Sequence, residues 1–371
     1  MPSPVPPRTM WSRFPLKTSH RWLNLLLLFV PATVVLEVMH VSPLLIFIAS
    51  ALAIAPLASV LGESTGALAS QCGPAIGGIL SATMGNATEM IIAFFALYAG
   101  HINVVKASLS GSIIGNLLLV LGLSLVAGGL RNPVQRFSRT TSSMNSTTLM
   151  IAVAALVMPA VFNLTLFGTL QHHDVNLQHL SLWTSGVLIA LYLLNMFFVF
   201  RTHRAAFAAP HPDEDAPKTS RTQAIVSLGL ATVLIAGMSE ILVGQIAPVT
   251  KALGMTELFV GVIVVALVGN AAENSTAIIM ARRNRMDVSM AIATGASTQI
   301  ALFVAPVLVF LSVAIGHPMT LVFNGFEIAA IVLSVVIVDM ISSDGETNWF
   351  EGAQLLAVYA IVAVAFYFVP E

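Results

Sequence analysis

Apolar segments long enough to cross a lipid bilayer recur along almost the whole chain. Of the 371 residues, 57% are hydrophobic and only 9% are charged. In an ordinary soluble domain about a quarter of the residues are charged, so this chain could not cover a soluble surface of its size. We therefore predict a polytopic membrane protein and exclude the classes of soluble enzyme.

Candidate membrane-spanning helices are runs of about 20 predominantly apolar residues. The predicted fold is all-α, with eleven such helices at 22–39, 43–61, 73–99, 103–130, 146–167, 180–200, 223–244, 256–281, 288–314, 319–341 and 351–369. The first follows a basic, proline-rich tail, residues 1–21, and shows no small-residue cleavage site, so we predict a retained helix rather than a signal peptide. The proline-containing acidic stretch 201–222 predicts a cytoplasmic loop linking two membrane halves.

The lysine and arginine residues predict the orientation, because cytoplasmic loops are enriched in both. With eleven helices, fourteen of them fall on one side of the membrane, and only Lys106 and Lys251 fall on the other. We therefore expect a cytoplasmic N-terminus and an external C-terminus. The short loops suit the inner membrane of a prokaryote, with an organellar membrane as the alternative. The fourteen residues are Arg8, Arg13, Lys17, Arg21, Arg131, Arg136, Arg139, Arg201, Arg204, Lys218, Arg221, Arg282, Arg283 and Arg285.

The remaining composition excludes several partners and sites. A net charge of −1 gives no electrostatic attraction to nucleic acid. The single cysteine, Cys72, excludes an internal disulfide and a cysteine-built metal centre. The sequence contains no nucleotide-binding loop, so ATP-driven pumping is not indicated. We expect the protein to need no cofactor and to lie in a lipid bilayer. The sequence is also compatible with a homo-oligomer.

A five-residue motif occurs twice. Gly-Asn-Ala-Thr-Glu at 85–89 recurs as Gly-Asn-Ala-Ala-Glu at 269–273, and residues beyond the motif match at the same offset of 184 positions. Residues 43–200 and 223–371 are therefore predicted to be two five-helix repeats, with the helix at 22–39 outside them. Because five is odd, the two repeats enter the membrane from opposite sides, as in secondary transporters.

Each motif places a glutamate near the middle of a predicted helix, where an isolated carboxylate is energetically expensive. A hydrogen-bonded packing role is the alternative, and the matched positions of Glu89 and Glu273 make it the weaker one. Hard cations such as Ca²⁺ bind six to eight oxygen atoms. The sequence offers these two carboxylates, the amides of Asn86 and Asn270, backbone oxygens near Gly85 and Gly269, and side chains of the following helices, namely Ser112, Asn116, Ser297 and Gln299.

The same two carboxylates predict an exchange reaction. No cluster of histidine or cysteine accompanies them, so a soft metal is disfavoured. Without a cation, burial and mutual repulsion favour protonation of Glu89 and Glu273. Protons and cation would then compete for the same oxygens, which is the basis of antiport.

These motifs resemble the two alpha-repeat motifs of the calcium/proton exchangers, the CAX branch of the calcium/cation antiporter superfamily. The similarity extends to Gly-Gly-Ile-Leu-Ser-Ala-Thr at 77–83, Gly-Ser-Ile-Ile-Gly-Asn-Leu-Leu at 111–118 and Thr-Gln-Ile-Ala-Leu-Phe-Val at 298–304. It also includes Phe-Asn-Gly-Phe-Glu at 323–327 and Asp-Gly-Glu-Thr-Asn-Trp-Phe-Glu-Gly at 344–352. Together these segments cover about residues 40–369.

The resemblance implies a fold of eleven helices and an alternating-access exchange of Ca²⁺, or a similar divalent cation, for protons. It implies cation ligation by Glu89 and Glu273, by backbone oxygens near 85–86 and 269–270, and by Ser112 and Gln299. Glu327 belongs to a matched motif and has two interpretations, a structural hydrogen-bond partner or a residue of the proton path.

Three positions depart from the family pattern. Ala296 stands where the second repeat usually has serine, which puts a serine ligand equivalent to Ser112 in doubt. Gly115 stands where serine is common, and Gly66 where glutamate is often found, with Glu63 nearby at a different helical phase.

Three other functions compete with this hypothesis. A sodium-coupled exchanger would use the same scaffold, although the Gly-Asn-Ala-x-Glu form favours proton coupling. A passive cation channel does not need paired buried glutamates in inverted repeats. An intramembrane hydrolase would need a catalytic aspartate pair, a serine–histidine set or a metal, and the sequence places none of these.

Overall fold

A computed structural model describes residues 16, 21–72, 74–170, 175–202 and 219–369, and these residues are almost entirely helical. In chain order the helices are α1 (Arg21–Leu26), α2 (Phe29–Val38), α3 (Pro43–Gln71), α4 (Pro74–Met84), α5 (Ala87–Tyr98), α6 (Ile102–Gly129), α7 (Arg139–Phe167), α8 (Val175–Phe197), α9 (Arg221–Gly244), α10 (Ile246–Leu253), α11 (Glu257–Gly269), α12 (Ala271–Arg282), α13 (Met286–Ile315), α14 (Gly325–Ile341) and α15 (Trp349–Phe368). Two short strands, β1 (Gln135–Arg136) and β2 (Glu346–Thr347), pair antiparallel.

The described helices account for seven to nine membrane spans. Seven are continuous apolar helices, and the two bent pairs α4–α5 and α11–α12 raise the number to nine. Two further segments, Leu23–Val38 and the 17 residues of α14, are shorter helices. The predicted all-helical membrane protein is confirmed at this level. Most of the predicted loop 201–222 and of the tail 1–21 lies outside the described residues.

Three predicted helix boundaries were wrong by six residues or more. Helix α14 begins at Gly325 instead of 319, because Asn324 caps its start, and two other helices are longer than predicted. Helix α3 continues to Gln71 instead of ending at 61, and α7 begins at Arg139 instead of 146. Both extensions consist mainly of small and polar residues, which interrupt the apolar pattern but which a helix accommodates. The side chain of Ser138 accepts a hydrogen bond from the backbone of Thr141 and so caps the start of α7.

Two predicted spans are broken where the repeated motif lies. The α4–α5 pair bends by 44° and the α11–α12 pair by 63°. The residues before α5 and α12 are Asn86 and Asn270, each at the N-cap position. Helices α5 and α12 begin and end at positions separated by 184 residues, and so do the starts of α6 and α13. Helices α6 and α13 also contain π-helical segments, Gly115–Val120 and Ile300–Val304, a distortion common at functional sites.

Close helix packing positions the breaks against each other. Helices α6 and α11 approach so closely that a Cβ atom on Gly111 would collide with the backbone of Val262, and one on Gly261 with the side chain of Ala107. Small residues commonly permit such approaches between membrane helices. As a result α6 lies directly beside the helix that leads into the second break.

Candidate cation-binding site

The two breaks place the repeated glutamates at the N-terminal ends of half-helices. Glu89 lies in the first turn of α5, and Glu273 lies in the first turn of α12. The N-terminus of a helix carries a partial positive charge that stabilises a nearby carboxylate. Each break therefore supplies part of the electrostatic support that a buried glutamate needs.

Each glutamate reaches across to the break of the opposite half. A Cβ atom built on Gly269 would lie 2.8 Å from Cγ of Glu89, and one built on Gly85 would lie 3.6 Å from Oε1 of Glu273. The same Cβ on Gly85 would lie 3.6 Å from Oε1 of Gln299. Glycine at the first position of the motif thus leaves the space that the opposite carboxylate occupies.

Each asparagine of the motif is held by side chains from the helix that follows the opposite motif. Nδ2 of Asn86 donates a hydrogen bond to Oε1 of Gln299 at 2.5 Å. Nδ2 of Asn270 donates to Oγ of Ser112 at 2.8 Å, and Oδ1 of Asn270 accepts from Asn116 at 3.3 Å. Glu89 also lies beside Asn270 and Ser112. The two amides therefore join the two halves of the site.

Several oxygen atoms of the site are buried without a hydrogen-bond partner among the described residues. They are Oδ1 of Asn86, Oε1 of Glu89 and Oε2 of Glu273. Buried acceptors are normally satisfied, and an unsatisfied one is unfavourable by about 1–3 kcal/mol. A hard cation would satisfy all three, and two carboxylates would balance a double positive charge. The unpartnered oxygens therefore fit a divalent cation as substrate.

The structure brings together the residues that the sequence singled out: Gly85, Asn86, Glu89, Ser112, Gly269, Asn270, Glu273 and Gln299. Ala296 carries no hydroxyl, and the hydroxyl of Ser297 donates to the backbone oxygen of Ala293 within its own helix. Within the described part of the chain, no group of three or more histidine, cysteine, aspartate or glutamate side chains forms another metal site. The candidate site thus depends on two carboxylates and neutral oxygens.

One polar residue of this region was missed. Asn274 follows Glu273 on α12, is only 9% exposed, and has a buried Oδ1 atom without a partner in the described structure. The repeat does not indicate this residue, because Met90 occupies the corresponding position of the first motif. Its type and its place directly after a motif glutamate were the available signals.

Glu327 lies apart from the glutamate pair, in the first turn of α14. It forms a reciprocal capping box with Asn324, and Oε1 accepts a hydrogen bond of 2.7 Å from Ser110. It is 3% exposed. These contacts match the structural interpretation of Glu327, because both carboxylate oxygens already have partners.

The chain matches the family model described as "Sodium/calcium exchanger protein" over residues 42–201 and 223–368. It is 42% identical to a Ca²⁺/H⁺ antiporter of Synechocystis sp., over 96% of this chain and 99% of that protein. It is 43% identical to the Ca²⁺/H⁺ antiporter ChaA of Bacillus subtilis, over 91% of this chain and 96% of that protein. The solved structure of native YfkE aligns with a TM-score of 0.82 at 40% identity, covering 94% of this chain and 100% of YfkE.

Proposed function

The chain belongs to the sodium/calcium exchanger protein family, and from this premise we propose that it exchanges cytosolic Ca²⁺, or a similar divalent cation, for protons. Its relatives in Synechocystis and Bacillus bear the name of Ca²⁺/H⁺ antiporters. The sodium-coupled alternative has less support for the same reason.

The observation that carries the proposal is the pair of carboxylates that cross between the two breaks. Glu89 and Glu273 each approach the glycine of the opposite motif, and each has a buried oxygen without a partner in the described structure. Two negative charges in a poorly solvated place need either a divalent cation or protons. The two states exclude each other, so release of protons accompanies binding of the cation.

The proton gradient is sufficient as a driving force. Each pH unit of gradient supplies about 1.4 kcal/mol per proton. Two or three protons exchanged for one cation could therefore sustain a large cation gradient. The proposed direction is cation out of the cytoplasm and protons in.

The transporter is proposed to have eleven helices, arranged as α1–α2 and two inverted five-helix repeats. The common offset of the breaks, of α5 and α12 and of the helix starts at Ile102 and Met286 supports the repeat. Contacts between helix ends support a count of eleven. Each contact joins two ends that lie on the same side of the membrane when eleven helices cross it. Examples are β1 with β2, Gln71 with Thr219, Gln245 with Glu37, His101 with Glu257 and Lys106 with Val322.

The orientation and the location are part of the same proposal. The arginine-rich segments after α6 and α12 would lie in the cytoplasm, as would the N-terminus. The C-terminus would lie outside. We place the protein in the inner membrane of a prokaryotic cell.

The test is Ca²⁺ uptake into everted vesicles or proteoliposomes with an acid interior and no sodium. We expect uptake with matching proton release by the wild type, and background uptake by Glu89→Gln and Glu273→Gln. Glu240→Gln is the matched control, because Glu240 is an exposed carboxylate on α9. Uptake that requires sodium would replace the proposal with the sodium-coupled alternative. Uptake that survives in either motif variant would overturn the role of the pair.

A further inference from the structure

Two small cavities lie on either side of Ser112. One is lined by Glu89, Ser108 and Ile300, among others, and the second by Asn116, Asn270, Asn274 and Tyr359. Ser112 and Ala266 line both cavities. The residues of α6 that line the second cavity run from Gly111 to Val120, and Asn270 and Asn274 line it from the second break. The second cavity therefore borders the candidate cation site, with which it shares Ser112 and Asn270.

The second cavity is lined by several polar side chains but by no charged one. The first cavity, by contrast, contains the carboxyl group of Glu89. A second divalent cation would find no compensating charge there. A water molecule needs only two to four polar partners. The hydroxyl groups of Ser112 and Tyr359 and the amides of Asn116 and Asn274 can provide them.

Asn274 is the side chain in this cavity with a buried oxygen that lacks a partner among the described residues. It is one residue beyond Glu273 on α12, so its side chain points about 100° away from the glutamate around the helix axis. The glutamate thus faces the opposite break while the asparagine lines the adjacent cavity. No equivalent polar group exists in the first motif, where Met90 stands.

Part of the space in the second cavity exists because residue 115 is a glycine. Gly115 also lines it, and a Cβ atom built on Gly115 would meet no atom within 4 Å. Gly115 begins the π-helical segment with right-handed backbone angles (φ −61°, ψ −47°), so glycine is not required for its conformation. The open space beside Asn274 can therefore be reduced without a steric collision.

We propose that Asn274 anchors a water molecule in this cavity and that this water completes the coordination of the bound cation. Asn274 is then a specificity-determining residue, favouring cations that bind seven or eight oxygens. Ca²⁺ takes six to eight flexible oxygen ligands, whereas smaller cations demand six in near-octahedral geometry. The inference rests on the proposed function, because it assumes that the carboxylate pair holds the cation.

The experiment compares equilibrium binding of Ca²⁺ and Mn²⁺ to the purified full-length chain by isothermal titration calorimetry. In Asn274→Leu the anchor is replaced by an apolar side chain of similar size. We expect the Kd for Ca²⁺ to rise about tenfold, which corresponds to about 1.4 kcal/mol. The Kd for Mn²⁺ should change much less. Met90→Leu, at the corresponding position of the other motif, is the matched control and should leave both constants unchanged.

A second variant protects the test against misfolding of the first. Gly115→Ala narrows the cavity without touching Asn274, and it should shift the preference in the same direction by a smaller factor. Equal changes for both cations in Asn274→Leu would overturn the proposal, because a merely structural role weakens both. Unchanged constants in both variants would overturn it as well. Failure of the wild type to bind Ca²⁺ would instead refute the proposed function.

Discussion

The two breaks that form the site carry the same glutamate but are held by different neighbours. Asn86 donates to Gln299. At the offset of the repeat, the equivalent partner of Asn270 would be position 115, which is glycine. Asn270 instead contacts Ser112 and Asn116. The same asparagine is therefore fixed by one long side chain in one half and by two shorter ones in the other.

The backbone differs between the halves in the same region. The second break bends by 63° and the first by 44°. A π-helical segment, Val260–Val265, precedes the second break, whereas the described residues before the first break are α-helical. The charges of the site are thus symmetric, whereas its neutral side chains and its helix geometry are not. In the proposed exchanger, both halves compensate the charge of the cation equally, whereas the neutral side chains that would set its coordination differ between them.

The largest expected effect distinguishes the two motif glycines. Gly269→Ala should abolish Ca²⁺ uptake, because the new Cβ atom would lie 2.8 Å from Cγ of Glu89 and displace the carboxylate. Overpacking of this kind typically destabilises by about 1–3 kcal/mol. Gly85→Ala should be milder, since its Cβ would lie 3.6 Å from the side-chain oxygens of Glu273 and Gln299, and its tightest contact, at 3.0 Å, would be with the backbone oxygen of Ser81 and not with a carboxylate of the site. Ca²⁺ uptake into vesicles with matched protein content measures the difference between the two variants. Equal losses of uptake in both variants would contradict the asymmetry between the two breaks.

A smaller effect separates the partners of the two asparagines. Gln299→Ala removes the partner of Asn86 and leaves a buried amide unsatisfied, which is unfavourable by about 1–3 kcal/mol. The affinity for Ca²⁺ should fall by roughly 5- to 150-fold.

Ser112→Ala serves as the comparison, because Asn270 keeps its contacts with Asn116 and with the backbone oxygen of Ala266. Its loss of affinity should be several-fold smaller. Titration calorimetry on both variants measures the difference. A greater loss of Ca²⁺ affinity in Ser112→Ala would contradict this order. It would show that the neutral side chains around Asn270 matter more for binding than the side chain that holds Asn86.

The repeated motif made the carboxylate pair predictable from the sequence. The repeat marks positions that match between the two halves, and these include Glu89, Glu273 and their asparagines. It does not mark Asn274, because Met90 stands at the matching position of the first motif. The partnership between Asn86 and Gln299 was equally hidden, since it joins residues 213 positions apart and depends on how the breaks pack. The helix ends at Gln71 and Arg139 were missed because polar residues continue these helices beyond the apolar runs.

The smallest expected effect concerns Glu327, a buried glutamate without a counterpart, since the matching position is Ser143. Glu327→Gln should leave Ca²⁺ uptake close to the wild-type rate and lower the Tm slightly. Glutamine can cap a helix in the same way, but its single oxygen cannot accept from both Ser110 and Asn324. The loss of one hydrogen bond destabilises by about 0.5–1.5 kcal/mol. Thermal unfolding and uptake measured on the same preparation test this.

Glu351→Gln is the matched control for that variant. Glu351 forms the equivalent capping box at the start of α15 with Asn348, and it also accepts from Thr347. Its side chain is less buried, so the change in Tm should be smaller than in Glu327→Gln. Loss of uptake in Glu327→Gln with an unchanged Tm would move Glu327 to the proton path. The asymmetry between the halves would then extend from the neutral ligands to the titratable groups.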